Sequence, residues 1–181
     1  YVVDDKILEL LKNPNIELDF VIDNTQTLLT RLDSFTLDIL LVEGFFDKAK
    51  YGYQLIKKEK LVGLCNKEHP FNGRHIKLED TFKERLLLRE QGSGTRAVLE
   101  NAMLANNYKL SAFENKVEIS SFHLIKEAIA KNYGISFVYE SFAKRINQAI
   151  FYLEDINLMH EFNYVYLKDT SAKQLIELIK L

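Results

Sequence analysis

The sequence predicts an α/β fold. Three short apolar runs are each followed by a hydroxyl-bearing turn that opens an amphipathic helix, at Asp23-Asn24-Thr25, Gly92-Ser93-Gly94-Thr95 and Ser120-Ser121. Hydrophobic residues make up 47% of the 181 positions, enough for a core in one domain or in two small lobes. Only 7 glycines and 2 prolines occur and no repeat breaks the chain, so two lobes, if present, are joined by strands and not by a flexible linker.

Val3, Ile7, Leu8, Leu10 and Leu11 form an apolar helical face with no capping residue before them, and Pro14 ends the pattern. The chain therefore reads as the continuation of something upstream. Ile16, Leu18, Phe20 and Ile22 alternate as in a strand, and a short helix carrying Leu28, Leu29 and Leu32 follows. Leu37 to Val42 is a nearly continuous apolar strand that Glu43-Gly44 closes; strand, helix and strand in this order predict parallel pairing. Tyr53 to Ile56 and Leu61 to Cys65 flank Lys57-Lys58-Glu59-Lys60, which fits an exposed turn or the wet face of one long strand.

Leu86 to Leu88 leads through the glycine turn into a helix from about Thr95 to Asn106, with Val98, Leu99, Ala102 and Met103 inward. Ala112 to Ile119 alternates like a strand. Ser120-Ser121 then opens a helix bearing Phe122, Ile125, Ala128 and Ile129, closed by Gly134, and Ile135 to Tyr139 is the next strand. Ile150 to Leu153 and Phe162 to Leu167 are further strands. The last helix begins at about Ser171 and carries Leu175, Ile176, Leu178 and Ile179.

Composition narrows the function. Lys and Arg (24) nearly balance Asp and Glu (26) without a basic cluster, so this chain by itself is not built to hold DNA. Cys65 sits alone in an apolar run, which predicts buried packing, a reducing compartment and a cytoplasmic location. His69, His75, His123 and His160 lack metal-ligand spacing and read as surface or loop residues. No metal or cofactor site is expected. No apolar run approaches the roughly 20 residues that span a bilayer, and no leader is read at the start. Asp38, Glu43 and Glu118 lie near strands with nothing to pair them, so no catalytic constellation emerges and an enzyme is not expected.

What remains is recognition. The first turn of a helix offers unpaired N–H groups and the positive end of its dipole, and glycines let backbone approach a ligand. In open α/β sheets ligands sit beyond the carboxyl ends of strands, where all three helix starts point. Each start, taken alone, is equally explained as a capped helix.

Asn24-Thr25 with Leu28 and Leu32, Leu37-Asp38-Ile39-Leu40-Leu41-Val42-Glu43-Gly44, Leu88-Arg89-Glu90-Gln91-Gly92-Ser93-Gly94-Thr95-Arg96, and Glu118 to Ile129 with Gly134-Ile135 together resemble the effector-binding domain of LysR-type transcriptional regulators. The order and spacing fit over nearly the whole chain, and the Gly-Ser-Gly-Thr-Arg element is the most specific piece. The resemblance implies a two-lobed, type 2 periplasmic-binding-protein-like fold, each lobe a mixed sheet flanked by helices, with an effector cleft between them. Lobe I would be residues 1–64 plus 160–181, lacking its first strand, and lobe II residues 65–159. The family's winged helix-turn-helix and linker helix are not in this chain, and Gln91 stands where proline is usual.

The resemblance further implies an effector touched by Asn24 and Thr25 from one lobe and by Ser120 and Ser121 from the other. Ser93 and Thr95 would chiefly shape the glycine loop, and Phe137 would wall the cleft. Arg89 and Arg96 are expected to pair with Glu90 or solvent. The implied function is sensing of a small anionic metabolite by a homodimer or homotetramer that contacts DNA only through another domain. The rival on the same fold is an extracytoplasmic solute-binding protein of a transporter.

Overall fold

The computed structural model describes residues 4–180, with side chains over 7–178. The first helix, α1 (Asp4–Leu10), half-buries Ile7 and Leu10 and leaves Leu8 and Leu11 exposed. Val3, expected on the same face, and the Ile179 side chain lie outside the described residues.

Residues 16–22 form no strand, against expectation. Alternation makes a strand only where a neighbour takes up the backbone N–H and C=O groups. No ladder forms here, and Ile16, Leu18, Phe20 and Ile22 stay exposed, Ile22 at 86%. Helix α2 (Thr25–Asp33) follows, and its cap is Asn24, whose side chain accepts a bond from the Thr27 N–H at 2.9 Å. Strand β1 (Leu40–Val42) pairs antiparallel with a late strand, Leu40 opposite Val165, which overturns the expected parallel unit.

Strand β2 (Tyr51–Cys65) settles the Lys57 to Lys60 ambiguity as one 15-residue strand, with a register shift between Leu55 and Lys57. It is followed by β3 (His75–Ile76), β4 (Arg85–Leu88), α3 (Gly94–Ala105), β5 (Asn115–Glu118), α4 (Phe122–Ala130), β6 (Ser136–Tyr139), α5 (Glu140–Arg145), β7 (Ala149–Leu153), β8 (Met159–Leu167) and α6 (Ala172–Lys180). The strand expected from Ala112 is shorter because residues 110–112 form a 3-10 turn.

Two bodies share β2 and β8. The first half of β2 runs antiparallel along β8, Tyr51 opposite Leu167 through Lys60 opposite Met159. Its second half turns to other partners, Leu61 to Tyr139 on β6 and Leu64 to Ile150 on β7. Strands β4 and β5 pair in parallel, and a bridge from Leu86 to Ile135 ties them to the start of β6.

Period-2 alternation sorts the cores. On β8, Val165 packs with Leu32 and partly buried Leu28 and Leu29 of α2, while Tyr164 and Tyr166 pack with Ala172 and Ile176 of α6. In the second body Leu86 and Leu88 meet Val98, Leu99 and Met103 of α3, while Leu87 meets Ile125 and Ile129 of α4. Each fully buried Leu or Ile contributes about 1.5–3 kcal/mol. Leu61, Val62 and Leu64 already belong to the second body, as does Phe162. Each body is thus a sheet covered by helices on both faces, a two-lobed α/β molecule.

Cys65 is fully buried, and burial pushes its thiol up to about 11. Of the histidines expected at the surface or in loops, His69 does lie in a loop although buried, while His160 departs. His69 is buried with its Nδ1 accepting from the Phe71 N–H at 3.2 Å, and His160 is half-buried on β8. No described helix is long and apolar enough to cross a membrane.

Candidate functional site at the junction of the lobes

The glycine turn and the second serine turn leave adjacent parallel strands at the same end. Leu88 of β4 is opposite Glu118 of β5, and the Ile119 N–H donates to the Leu88 carbonyl at 2.8 Å. The starts of α3 and α4 therefore emerge side by side. The expected pairing with Glu90 holds for Arg89, which makes two bonds to it at 2.8 and 2.9 Å, whereas Arg96 reaches Glu100 at 2.7 Å and Glu118 at 2.6 Å instead. The Arg89 guanidinium also lies 4.0 Å from the centre of the Phe122 ring, a cation–π contact that joins the two turns.

From the other lobe, the start of α2 faces the start of α3 at close range. A Cβ placed on Gly92 would lie 3.1 Å from Asn24 Oδ1, and one on Gly94 would lie 3.0 Å from Thr25 Oγ1 and 2.8 Å from the Gly44 nitrogen. Glycine is required here because backbone meets backbone across the junction. Thr25 is 9% exposed, and Thr95 and Ser93 are 2% exposed.

Glu43 enters this junction from the carboxyl end of β1. Its Oε1 accepts from Thr95 Oγ1 at 3.0 Å, and its backbone carbonyl accepts from the Tyr139 hydroxyl at 3.0 Å. Burial raises its carboxyl above the ordinary value, opposed by the Thr95 bond and the Arg89 charge. Ser93 occupies the cap position of α3 but makes no side-chain cap bond, and its Oγ has no hydrogen-bond partner among the described residues. Polar atoms so deeply buried are almost always satisfied.

The remaining site candidates fall differently. Ser121 caps α4, accepting from the Leu124 N–H at 3.3 Å, and both Ser120 and Ser121 are exposed. Phe137 does not wall a cleft. Strand β6 is buried along its whole length, and the Phe137 ring sits in the second lobe's core, 5.8 Å from the Phe151 ring. Tyr139, two residues on and therefore on the same face of the strand, is the one that reaches the junction. Sequence reasoning missed Glu43 and Tyr139. The signal available for Glu43 was its place at a strand's carboxyl end beside a glycine.

A cavity of about 430 Å³ adjoins the junction, lined by Gly44, Phe45, Lys48, Lys58, His160 and Asn163 among others. The His160 ring packs 4.7 Å from Phe45, and burial holds its pKa below the ordinary value. No group of three His, Cys, Asp or Glu side chains able to hold a metal occurs among the described residues.

Two α/β lobes joined by paired strands, with helix starts opposed across the junction, define the class of two-lobed small-molecule-binding scaffolds of the type 2 periplasmic-binding-protein kind. The chain belongs to the LysR substrate binding domain family, whose model matches residues 10–180. HTH-type transcriptional regulator CysL of Bacillus subtilis is 25% identical over 184 residues, 97% of this chain and 60% of CysL. HTH-type transcriptional regulator MJ0300 of Methanocaldococcus jannaschii is 30% identical over 136 residues, 75% of this chain and 46% of the relative. The chain thus spans about half the length of these relatives. Among solved structures, the regulatory domain of Synechocystis PCC6803 CcmR in complex with 2-PG superposes with a TM-score of 0.84 at 21% identity, covering 99% of this chain and 89% of that one.

Proposed function

We propose that this chain is the effector-sensing part of a LysR-type DNA-binding transcriptional regulator, and that it binds a small anionic metabolite between its lobes. The observation that carries the reading is the opposition of Asn24 and Thr25, at the start of α2, to Gly92, Ser93 and Thr95, at the start of α3. Two helix starts aimed at one point favour a negative charge there, and the Thr25, Ser93 and Thr95 hydroxyls add donors. The regulator names of the relatives and the 2-PG held by CcmR support it. Nothing favours the transporter alternative.

In this reading the effector binds one arrangement of the lobes better than another and so shifts their relative placement. DNA contact comes from a domain elsewhere in the protein, acting as a cytoplasmic homodimer or homotetramer. The division expected from the sequence, lobe I as residues 1–64 plus 160–181 and lobe II as residues 65–159, moves by a few residues, because Leu61, Val62, Leu64 and Phe162 already pack in the second lobe. Asn24, Thr25, Ser93 and Thr95 serve as contacts, with Ser120 and Ser121 at the rim.

The test is thermal unfolding against a panel of small carboxylates, sulfate and phosphate, repeated with Thr25→Ala. An effector at a hundred times its Kd adds about 2.7 kcal/mol, raising the midpoint by roughly 5 to 10 °C. Loss of that shift in Thr25→Ala supports the site; a shift that survives it places binding elsewhere.

A further inference from the structure

We propose that Glu43 is a tethered occupant of the effector site: its carboxylate takes the place of an effector's carboxylate, phosphate or sulfate group, and an anionic effector binds by displacing it. This rests on reading the interlobe junction as the effector site.

Three independent observations meet at this point. The Glu43 carboxylate is bonded at 3.0 Å to the hydroxyl of Thr95, in the first turn of the 12-residue helix α3, where an incoming anion would be received. Ser93, at the cap position of the same helix and 2% exposed, keeps an Oγ with no partner among the described residues, a buried donor left unused at the same helix start. The backbone around Glu43 is fixed, by the Tyr139 hydroxyl on its carbonyl and by the Gly44–Gly94 approach. The side chain is therefore a short arm on a rigid anchor, able to swing out while its backbone stays.

Charge makes the exchange exclusive. Arg89 attracts an anion here, but Glu59 and Glu90 repel it, and the Arg89 guanidinium is already bonded to Glu90. A second carboxylate or phosphate a few ångströms from Glu43, in a buried setting, faces strong repulsion. An effector thus gains the Thr95 and Ser93 donors only as Glu43 leaves, and Glu43 recovers water when it does. Because Glu43 belongs to one lobe and Thr95 to the other, the exchange breaks one interlobe bond and replaces it with bonds to the effector, which couples occupancy to lobe placement.

Isothermal titration with inorganic phosphate and with sulfate, on the native protein and on Glu43→Gln, Glu43→Ala and Thr25→Ala, tests this. Glu43→Gln keeps the shape and the Thr95 bond but removes the charge, and it should bind at least tenfold tighter than the native protein. Glu43→Ala removes the occupant altogether and should change affinity in the same direction. Equal or weaker binding by both variants overturns the proposal, while native binding that Thr25→Ala abolishes would leave the effector-site reading standing. Binding by none of the four proteins overturns both.

Discussion

Gly44 and Gly94 meet backbone to backbone across the lobes: a Cβ on either would lie 2.9 Å from the Cα of the other. Gly44→Ala or Gly94→Ala should therefore act as a wedge. Each is expected to cost about 1–3 kcal/mol in urea unfolding and to increase the radius of gyration in solution scattering. Both insert into one contact, so the double variant should cost clearly less than the sum of the two. Full additivity would mean that the lobes do not touch there.

Glu43 gives a pH signature. Its ordinary carboxyl value is 4.5 and its folded value is higher, chiefly through burial. The folded state thus prefers the protonated form, so the group's stabilising contribution is complete below 4.5 and is lost as pH rises through the folded value. Gln is neutral at every pH. Glu43→Gln should melt higher than the native protein at neutrality and show no advantage in acid well below 4.5. An equal difference in both conditions would show that the carboxylate bears no burial penalty.

Tyr139→Phe removes the hydroxyl that donates to the Glu43 carbonyl at 3.0 Å while keeping the ring, 4.6 Å from Phe162. Chemical denaturation should show a loss of about 0.5–1.5 kcal/mol. The same change should also loosen the anchor of Glu43, measurable as faster amide exchange at Gly44. Unchanged exchange would separate Tyr139 from the junction.

Cys65 should be inert in the native protein. It is fully buried and its thiol is pushed up to about 11, so little thiolate exists at neutral pH and none is reachable. Alkylation by iodoacetamide should proceed only as fast as unfolding, and rapid native labelling would contradict the packing.

Most of the architecture was legible because it is local. A strand, a capping residue and an amphipathic helix lie within some twenty consecutive residues, and Ser121 caps where a hydroxyl precedes apolar periodicity, although at α2 the cap is Asn24 rather than the hydroxyl of Thr25 and at α3 Ser93 makes no cap bond. What failed was non-local. The alternation of Ile16 to Ile22 specifies a face without specifying a neighbour, and the partner of β1 lies more than a hundred residues away on β8. Phe137 and Tyr139 share one strand face, yet only the second extends past the core to the junction. Glu43 looked unpaired because Thr95, 52 residues on, becomes its neighbour only after two lobes have folded and met.

The ribbon made by β2 and β8 runs unbroken from one core into the other. A loop hinge would let the lobes swing over wide angles at little cost, whereas a two-stranded ladder yields mainly by twisting, because its hydrogen bonds resist being pulled apart. The register shift between Leu55 and Lys57 interrupts the regular ladder, and such irregularities bend a strand and raise its local twist. A small rotation at that point would move the distant ends of both lobes, and the Thr95–Glu43 bond, which crosses from one lobe to the other, is placed to oppose it.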